Sequence, residues 1–190
     1  MKKIIYLAIY LAILFSNFFV FANEKDKEAG RSASISYNKI TNSSTGDFNH
    51  DIFYKKYSIK KILEKYESPL VENVDDFIKT CVNYQIDCYL LPSISGVEST
   101  FGRHINPNSY NPFGWDRGYA IFKNFADGIE KVGYHLKNNY INDGLSTIEN
   151  IGSRYSESQA WASRVYFFIN EFQNEEKKFR LYFEKNEVKL

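Results

Sequence analysis

Glu98 is the one charged residue in the stretch Leu90-Leu91-Pro92-Ser93-Ile94-Ser95-Gly96-Val97-Glu98-Ser99-Thr100-Phe101-Gly102, whose apolar residues recur at helical spacing. On a helix, Leu91, Ile94, Glu98 and Phe101 share one face, so the carboxyl points toward the side that packs. Desolvation disfavours a carboxylate and raises its pKa, which suits a general acid that protonates an ether-like oxygen near neutral pH. The competing reading is a helix glutamate that snorkels to water or pairs with Arg103 or His104. Ser99 reads as a hydrogen bonder rather than a nucleophile, because no His and Asp set accompanies it.

A second carboxylate is harder to find. Asp116, in Trp115-Asp116-Arg117-Gly118-Tyr119, is the best-placed candidate, followed by Asp127 and Glu130, although turn and helix-capping aspartates are common for structural reasons alone. One acid suffices where the substrate's own acetamido oxygen or hydroxyl supplies the nucleophile. His50, His104 and His135 show no metal-ligand spacing with the two cysteines, so neither a metal nor a cofactor is expected. Cys81 and Cys88 could pair in an exported chain, or Cys81 could pack as a free thiol on an apolar stripe.

The elements that must position these residues read as helices. Ser58 can cap a helix carrying Ile59, Ile62, Leu63 and Tyr66, with Ser68-Pro69 ending it. Asn73 opens a second, with Val74, Phe77, Ile78 and Cys81 on one stripe. Asp87 is a plausible cap for the Glu98 helix, in which Pro92 costs a backbone hydrogen bond and can introduce a kink. Asn106 to Pro112 is loop chemistry, and Trp115 to Tyr119 reads as the tight turn of a small β-hairpin. Asn124 with Asp127 caps a helix bearing Ile129, Val132, Leu136 and Tyr140, and Ser146 with Glu149 forms a capping box for a short one. Ser158 opens the last helix, packed through Trp161, Val165, Phe168, Ile169 and Phe172, with Glu175-Glu176-Lys177-Lys178 as a solvated extension. The fold class expected is therefore all-α dominated, with a small β-hairpin beside the helices.

The N-terminus sets the compartment. Lys2-Lys3, the apolar run Ile4 to Phe21 and Val20-Phe21-Ala22 read as a secretory signal over residues 1–22, cleaved after Ala22; an uncleaved membrane anchor is the alternative. Residues 23–50 are charged and then rich in Ser, Thr, Asn and Gly, which reads as a linker, and residues 51–190 suffice for one domain. The 24 basic and 23 acidic side chains become 22 and 23 once Lys2 and Lys3 are removed, so nothing favours a polyanion such as nucleic acid. A monomer is expected, meeting a membrane only if the N-terminal segment is retained.

Four motifs now stand in order: Glu98-Ser99-Thr100-Phe101-Gly102, then Asn111-Pro112-Phe113-Gly114, then Phe125 to Leu136, and Tyr155 six residues before Trp161-Ala162. In this order they resemble the glucosaminidase-type branch of the lysozyme-like superfamily, over about Tyr57 to Phe172. The resemblance implies a lysozyme-like helical domain with a small β-lobe beside the cleft, export, and peptidoglycan glycan strands as substrate. It implies Glu98 as the catalytic acid, and Tyr155 across the cleft from it, where its hydroxyl orients the substrate N-acetyl group or stabilises charge. Asn111 and Phe113 match the loop beneath the sugar, and Ser99, Trp115 and Trp161 join them as expected substrate-side residues. The reaction implied is endo-β-N-acetylglucosaminidase cleavage. Lytic transglycosylation to an anhydro-MurNAc end is the rival chemistry, and a catalytically silent glycan-binding module is the rival class.

Overall fold

The computed structural model describes residues 45–186, all within the compact unit Ile35–Leu190; the signal or anchor of residues 1–22 and the linker as far as residue 44 lie outside the described residues. Among the described residues six α-helices follow in order: α1 Thr45–Lys65, α2 Val74–Tyr84, α3 Leu90–Ser99, α4 Phe125–Leu136, α5 Ile148–Tyr155 and α6 Trp161–Asn186. Short helical turns cover Pro69–Asn73, Trp115–Gly118 and Lys137–Ile141. The two long helices α1 and α6 pack on each other, α3 packs on α6 and α4, and α2 packs on α4.

The buried centre is α3. Leu90 through Gly96 are all buried, so this helix is enclosed on every side and its small residues Ser93, Ser95 and Gly96 let neighbours come close. Pro92 causes no kink and costs no hydrogen bond: it is the third residue of α3, where the backbone N–H has no partner within a helix in any case. Asp87 acts one residue outside the helix, accepting a hydrogen bond from the Tyr89 N–H at 2.7 Å. The helix stops at two consecutive left-handed residues, Thr100 (φ 52°) and Phe101 (φ 58°). Phe101 is thus not on the helical face with Glu98. Its ring folds back over Gly96, between Tyr66 and Phe168 at 4.8 Å from each, and is fully buried.

Several expectations need correction. Ser58 does not cap α1, which already runs from Thr45 and so takes in the end of the expected linker; Ser58 is buried mid-helix and its hydroxyl donates back to the Tyr54 carbonyl at 2.9 Å. The short helix α5 is capped by Thr147, whose hydroxyl accepts from the Asn150 N–H, rather than by Ser146. Glu176 is not solvated: it accepts the Tyr89 hydroxyl at 2.5 Å and pairs with Arg180 and Lys55. Among the described residues there is no strand, so the β-hairpin is absent. Gly114, Asp116, Arg117 and Gly118 all have positive φ, and the N–H groups of Gly118, Tyr119 and Ala120 bond back to Gly114, Asp116 and Trp115. The backbone groups that a second strand would need are consumed inside the turn.

Other assignments agree. Asn124 accepts from the Asp127 N–H at 2.8 Å and caps α4, which buries Ile129, Val132 and Leu136. Asn73 stands at the N-terminus of α2 but uses its side chain on Asp76, 2.8 Å away, rather than on the backbone. Of the two readings of the cysteines, the disulfide is the one found: Cys81 and Cys88 are bonded, tying the end of α2 to the start of α3. A loop this short restricts the unfolded chain by about 2 kcal/mol.

α2 and α4 come close together at Gly133, where an added Cβ would stand 2.2 Å from the Thr80 methyl. Thr80 is buried, so turning its methyl away into its other helical rotamer would disturb the packing around it. Alanine recovers up to about 1 kcal/mol of helix propensity, against about 1–3 kcal/mol for overpacking. Gly133→Ala is therefore expected to lower stability by about 1–2 kcal/mol in urea or thermal unfolding; unchanged or raised stability would mean that the helices separate freely.

Candidate active site

Glu98 occupies the last turn of α3 and is half-buried. Its partner is neither Arg103, which reaches the Tyr66 carbonyl and Glu67, nor His104, but Trp161 at the start of α6. The indole Nε1–H donates to Glu98 Oε1 at 2.7 Å. Among the described residues no hydrogen bond reaches Oε2, and a Cβ added to Gly114 would lie 2.7 Å from it. Burial raises the carboxyl above its ordinary 4.5; the Trp161 hydrogen bond and then the Arg164 charge pull the other way without cancelling it. The negative end of the α3 dipole, at which Glu98 sits, disfavours the anion further.

Ser99 fastens this end of α3 to the loop that faces it. Its hydroxyl donates to the Pro112 carbonyl at 2.8 Å and accepts the Gly102 N–H at 2.8 Å. Asn111 is almost fully buried and shapes the same loop. Its Nδ2 donates to the Trp115 carbonyl at 2.8 Å and its Oδ1 accepts the Trp115 N–H at 3.2 Å. Phe113 is fully buried, and Gly114 turns the chain with φ 70°. Ser99, Asn111 and Phe113 thus hold the loop in place, and all three are buried.

Tyr155, the last residue of α5, meets this loop from the other side: its hydroxyl donates to the Phe113 carbonyl at 2.8 Å. Burial first, and the Glu98 charge second, keep the phenol well above its ordinary 10.0, so it stays protonated as a donor. Its ring stacks on Trp161 with centroids 5.1 Å apart. Trp161 itself is buried to 2 % exposure, so its ring face serves the core and only its N–H addresses the acid.

A cleft of about 740 Å³ opens beside this arrangement, with Gly114, Trp115, His135, Tyr140 and Tyr155 among its walls. The rings form a chain: Trp115 against His135 at 4.9 Å, His135 against Tyr140 at 5.7 Å, and Tyr140 against Tyr155 at 6.3 Å. Two carboxylates, Asp116 and Glu157, stand on the rim and are exposed. Asp127 and Glu130 are elsewhere: Asp127 serves the α4 N-terminus and Lys131, and Glu130 acts on Tyr84. Glu98 is not itself on the cleft wall; Gly114 is the residue that borders both the cleft and Oε2. His135, Tyr140 and Glu157 escape the sequence reading because isolated residues in different elements carry no spacing signal. Gly114 was visible as the glycine of Asn-Pro-Phe-Gly, but its contact with the acid was not.

Among the described residues, no group of three or more His, Cys, Asp or Glu is arranged to hold a metal ion, and no helix is long and apolar enough to cross a membrane. No protein-family model matches this chain, and the curated proteins yield no significant match.

The Tyr155 hydroxyl supplies a partner to a carbonyl on a fully buried residue. Tyr155→Phe leaves that acceptor unpaired, at about 1–3 kcal/mol. The expected outcome is a loss of that size in denaturant unfolding; a loss below about 0.5 kcal/mol would mean that water reaches the Phe113 carbonyl and takes over the bond.

Proposed function

We propose that this chain is an exported glycosidase that cleaves the β-1,4-linked GlcNAc/MurNAc strands of peptidoglycan, as an endo-β-N-acetylglucosaminidase, with Glu98 as general acid. The observation that carries the reading is the state of Glu98: half-buried, held through Oε1 by a neutral donor, biased toward the protonated form, with Oε2 against a residue of an aromatic-walled cleft. Aromatic faces bind the apolar faces of sugar rings, and a neutral carboxyl donates its proton to the glycosidic oxygen as the ring gains oxocarbenium character. The ordered motifs shared with the glucosaminidase-type branch support the same substrate. Export rests on residues 1–22 alone.

The second catalytic group is assigned to the substrate. Arg164 acts on Glu98, Tyr155 feels its charge, and the cleft's two carboxylates, Asp116 and Glu157, are exposed on its rim. An acetamido oxygen of the bound sugar then supplies the nucleophile. The two-carboxylate reading keeps one observation in its favour, that Asp116 is on the cleft wall.

Glu98→Gln keeps the shape of the side chain but has no proton of suitable acidity. It is expected to lower cleavage of purified sacculi by about a hundredfold to ten thousandfold, with released ends identified by mass spectrometry. Reducing GlcNAc ends from the wild type support the reading, anhydro-MurNAc ends replace it with transglycosylation, and no new ends replace it with a binding module. The same variant tests the burial of the acid. Above pH 4.5 the unfolded chain has released this proton while the native state still holds it, so the native state loses stability as pH rises through the raised pKa. Gln lacks that dependence. The stability of Glu98→Gln relative to wild type is expected to increase as pH rises through that value, and a difference independent of pH would refute the raised pKa.

Asp116 has φ 50° and is exposed, and asparagine suits the same left-handed turn. Asp116→Asn is expected to keep cleavage within about threefold of wild type, since exposed turn substitutions leave the fold nearly unchanged. A loss of a hundredfold or more would establish Asp116 as the second carboxylate.

A further inference from the structure

We propose that Trp161 is a positioning residue that determines which oxygen of Glu98 carries the catalytic proton, by holding Oε1 through its indole N–H so that the proton resides on Oε2 beside Gly114. The inference rests on Glu98 being the general acid.

An indole N–H donates and cannot accept. In a neutral carboxyl the carbonyl oxygen is the stronger acceptor and the hydroxyl oxygen the weaker, so the 2.7 Å bond from Nε1 assigns the carbonyl role to Oε1. The hydroxyl is left to Oε2. That oxygen faces Gly114, where a Cβ would come within 2.7 Å, and Gly114 is part of the cleft wall. The proton is therefore carried on the oxygen nearer the ligand space.

Trp161 has little freedom to do otherwise. Its ring is 2.8 Å from where a Cβ on Gly152 would stand, it stacks on Tyr155, and it is buried to 2 % exposure. Tyr155 in turn bonds the Phe113 carbonyl, one residue before Gly114. The pair of stacked rings thus sets both the acid and the loop that faces it, one through an N–H and the other through an O–H. The groups around Glu98 that also bear on its charge are Arg164 on α6 and the Tyr155 phenol on α5; α3 and the 111–115 loop contribute no other titratable side chain. Because a hydrogen bond to an ionised acceptor is stronger than one to a neutral acceptor, the N–H also restrains the rise in pKa that burial causes.

The test replaces Trp161 in the full chain with β-(3-benzothienyl)alanine, which keeps the bicyclic shape but has sulfur in place of N–H, and in parallel with phenylalanine. Expected for the analogue are a kcat about ten- to a hundredfold lower on sacculi, the range that loss of one charge-assisted hydrogen bond allows. KM should stay within about threefold, since uniform substrate binding is untouched. The Glu98 carboxyl, followed by its 13C resonance, should titrate at higher pH, and the alkaline limb of the pH profile should move with it. An analogue with wild-type kcat and an unmoved Glu98 titration would overturn the proposal and leave Trp161 a packing residue. If Trp161→Phe also fails to fold, the analogue decides alone. Failure of the general-acid reading is separately visible, because it would show as an active Glu98→Gln whatever the carboxyl titration does at position 161.

Discussion

A carboxyl at the C-terminal end of a buried helix is held there against two physical penalties, and the rest of this structure is arranged around that fact. Burial removes water from Glu98, and the end of α3 contributes a negative dipole. A cation in direct contact would cancel both and leave an ionised, chemically idle group. Trp161 supplies instead one uncharged N–H at 2.7 Å. A bond of this kind to a neutral acceptor contributes about 0.5–1.5 kcal/mol, enough to favour one orientation of the side chain. Burial still outweighs it, since the net direction of the pKa is upward. Orientation without ionisation is what the pairing achieves.

Holding the acid requires the chain to bend sharply on both sides of it. Thr100 and Phe101 just after α3, and Asp116 and Arg117 in the facing turn, are four non-glycine residues in the left-handed region, at about 1–2 kcal/mol each. The first pair is offset by packing: the Phe101 ring is fully buried, worth about 1.5–3 kcal/mol, and the Ser68 hydroxyl donates to its carbonyl at 2.7 Å. The second pair is exposed and has no such burial. It is held by the turn's own hydrogen bonds and by Asn106, whose Nδ2 donates to the Gly118 carbonyl at 2.8 Å. The strain of this second pair lies at the rim of the cleft, where local structure matters most to a ligand.

The helices were legible in the sequence because their apolar stripes and caps are local signals: Asn124 with Asp127 marks α4 to the residue. Glu98 was legible for the same reason, as a lone carboxyl in an apolar helix. What lay beyond reach was long-range. Trp161 and Glu98 are 63 positions apart, and nothing in either segment says that an indole N–H meets a carboxyl. The turn at Trp115 to Tyr119 was misread because Asp, Arg and Gly suit several turns alike; the bonds that decide the outcome depend on successive positive φ values, which composition does not encode. Ser58 was misread because a serine that bonds back within a helix and one that caps it look the same until the preceding residues are known to be helical. Asn111 and Ser99 hold the loop through backbone partners that no local pattern in the sequence names.

The source of the raised pKa has a consequence for how such an acid behaves when a ligand arrives. Where two carboxylates share a site, repulsion between like charges raises one of them, and the effect is set by their distance. Here burial is the leading cause, and a part of the Glu98 side chain is still open to solvent. Under the proposed reading, a sugar seated against Gly114 would remove more of that solvent and bring no counter-charge, favouring the neutral form further in the complex than in the free protein. Loading the proton donor and binding the sugar are, under that reading, one physical event, dehydration of the same carboxyl. The Trp161 N–H, fixed on Oε1 at 2.7 Å, keeps the carboxyl from turning while that happens.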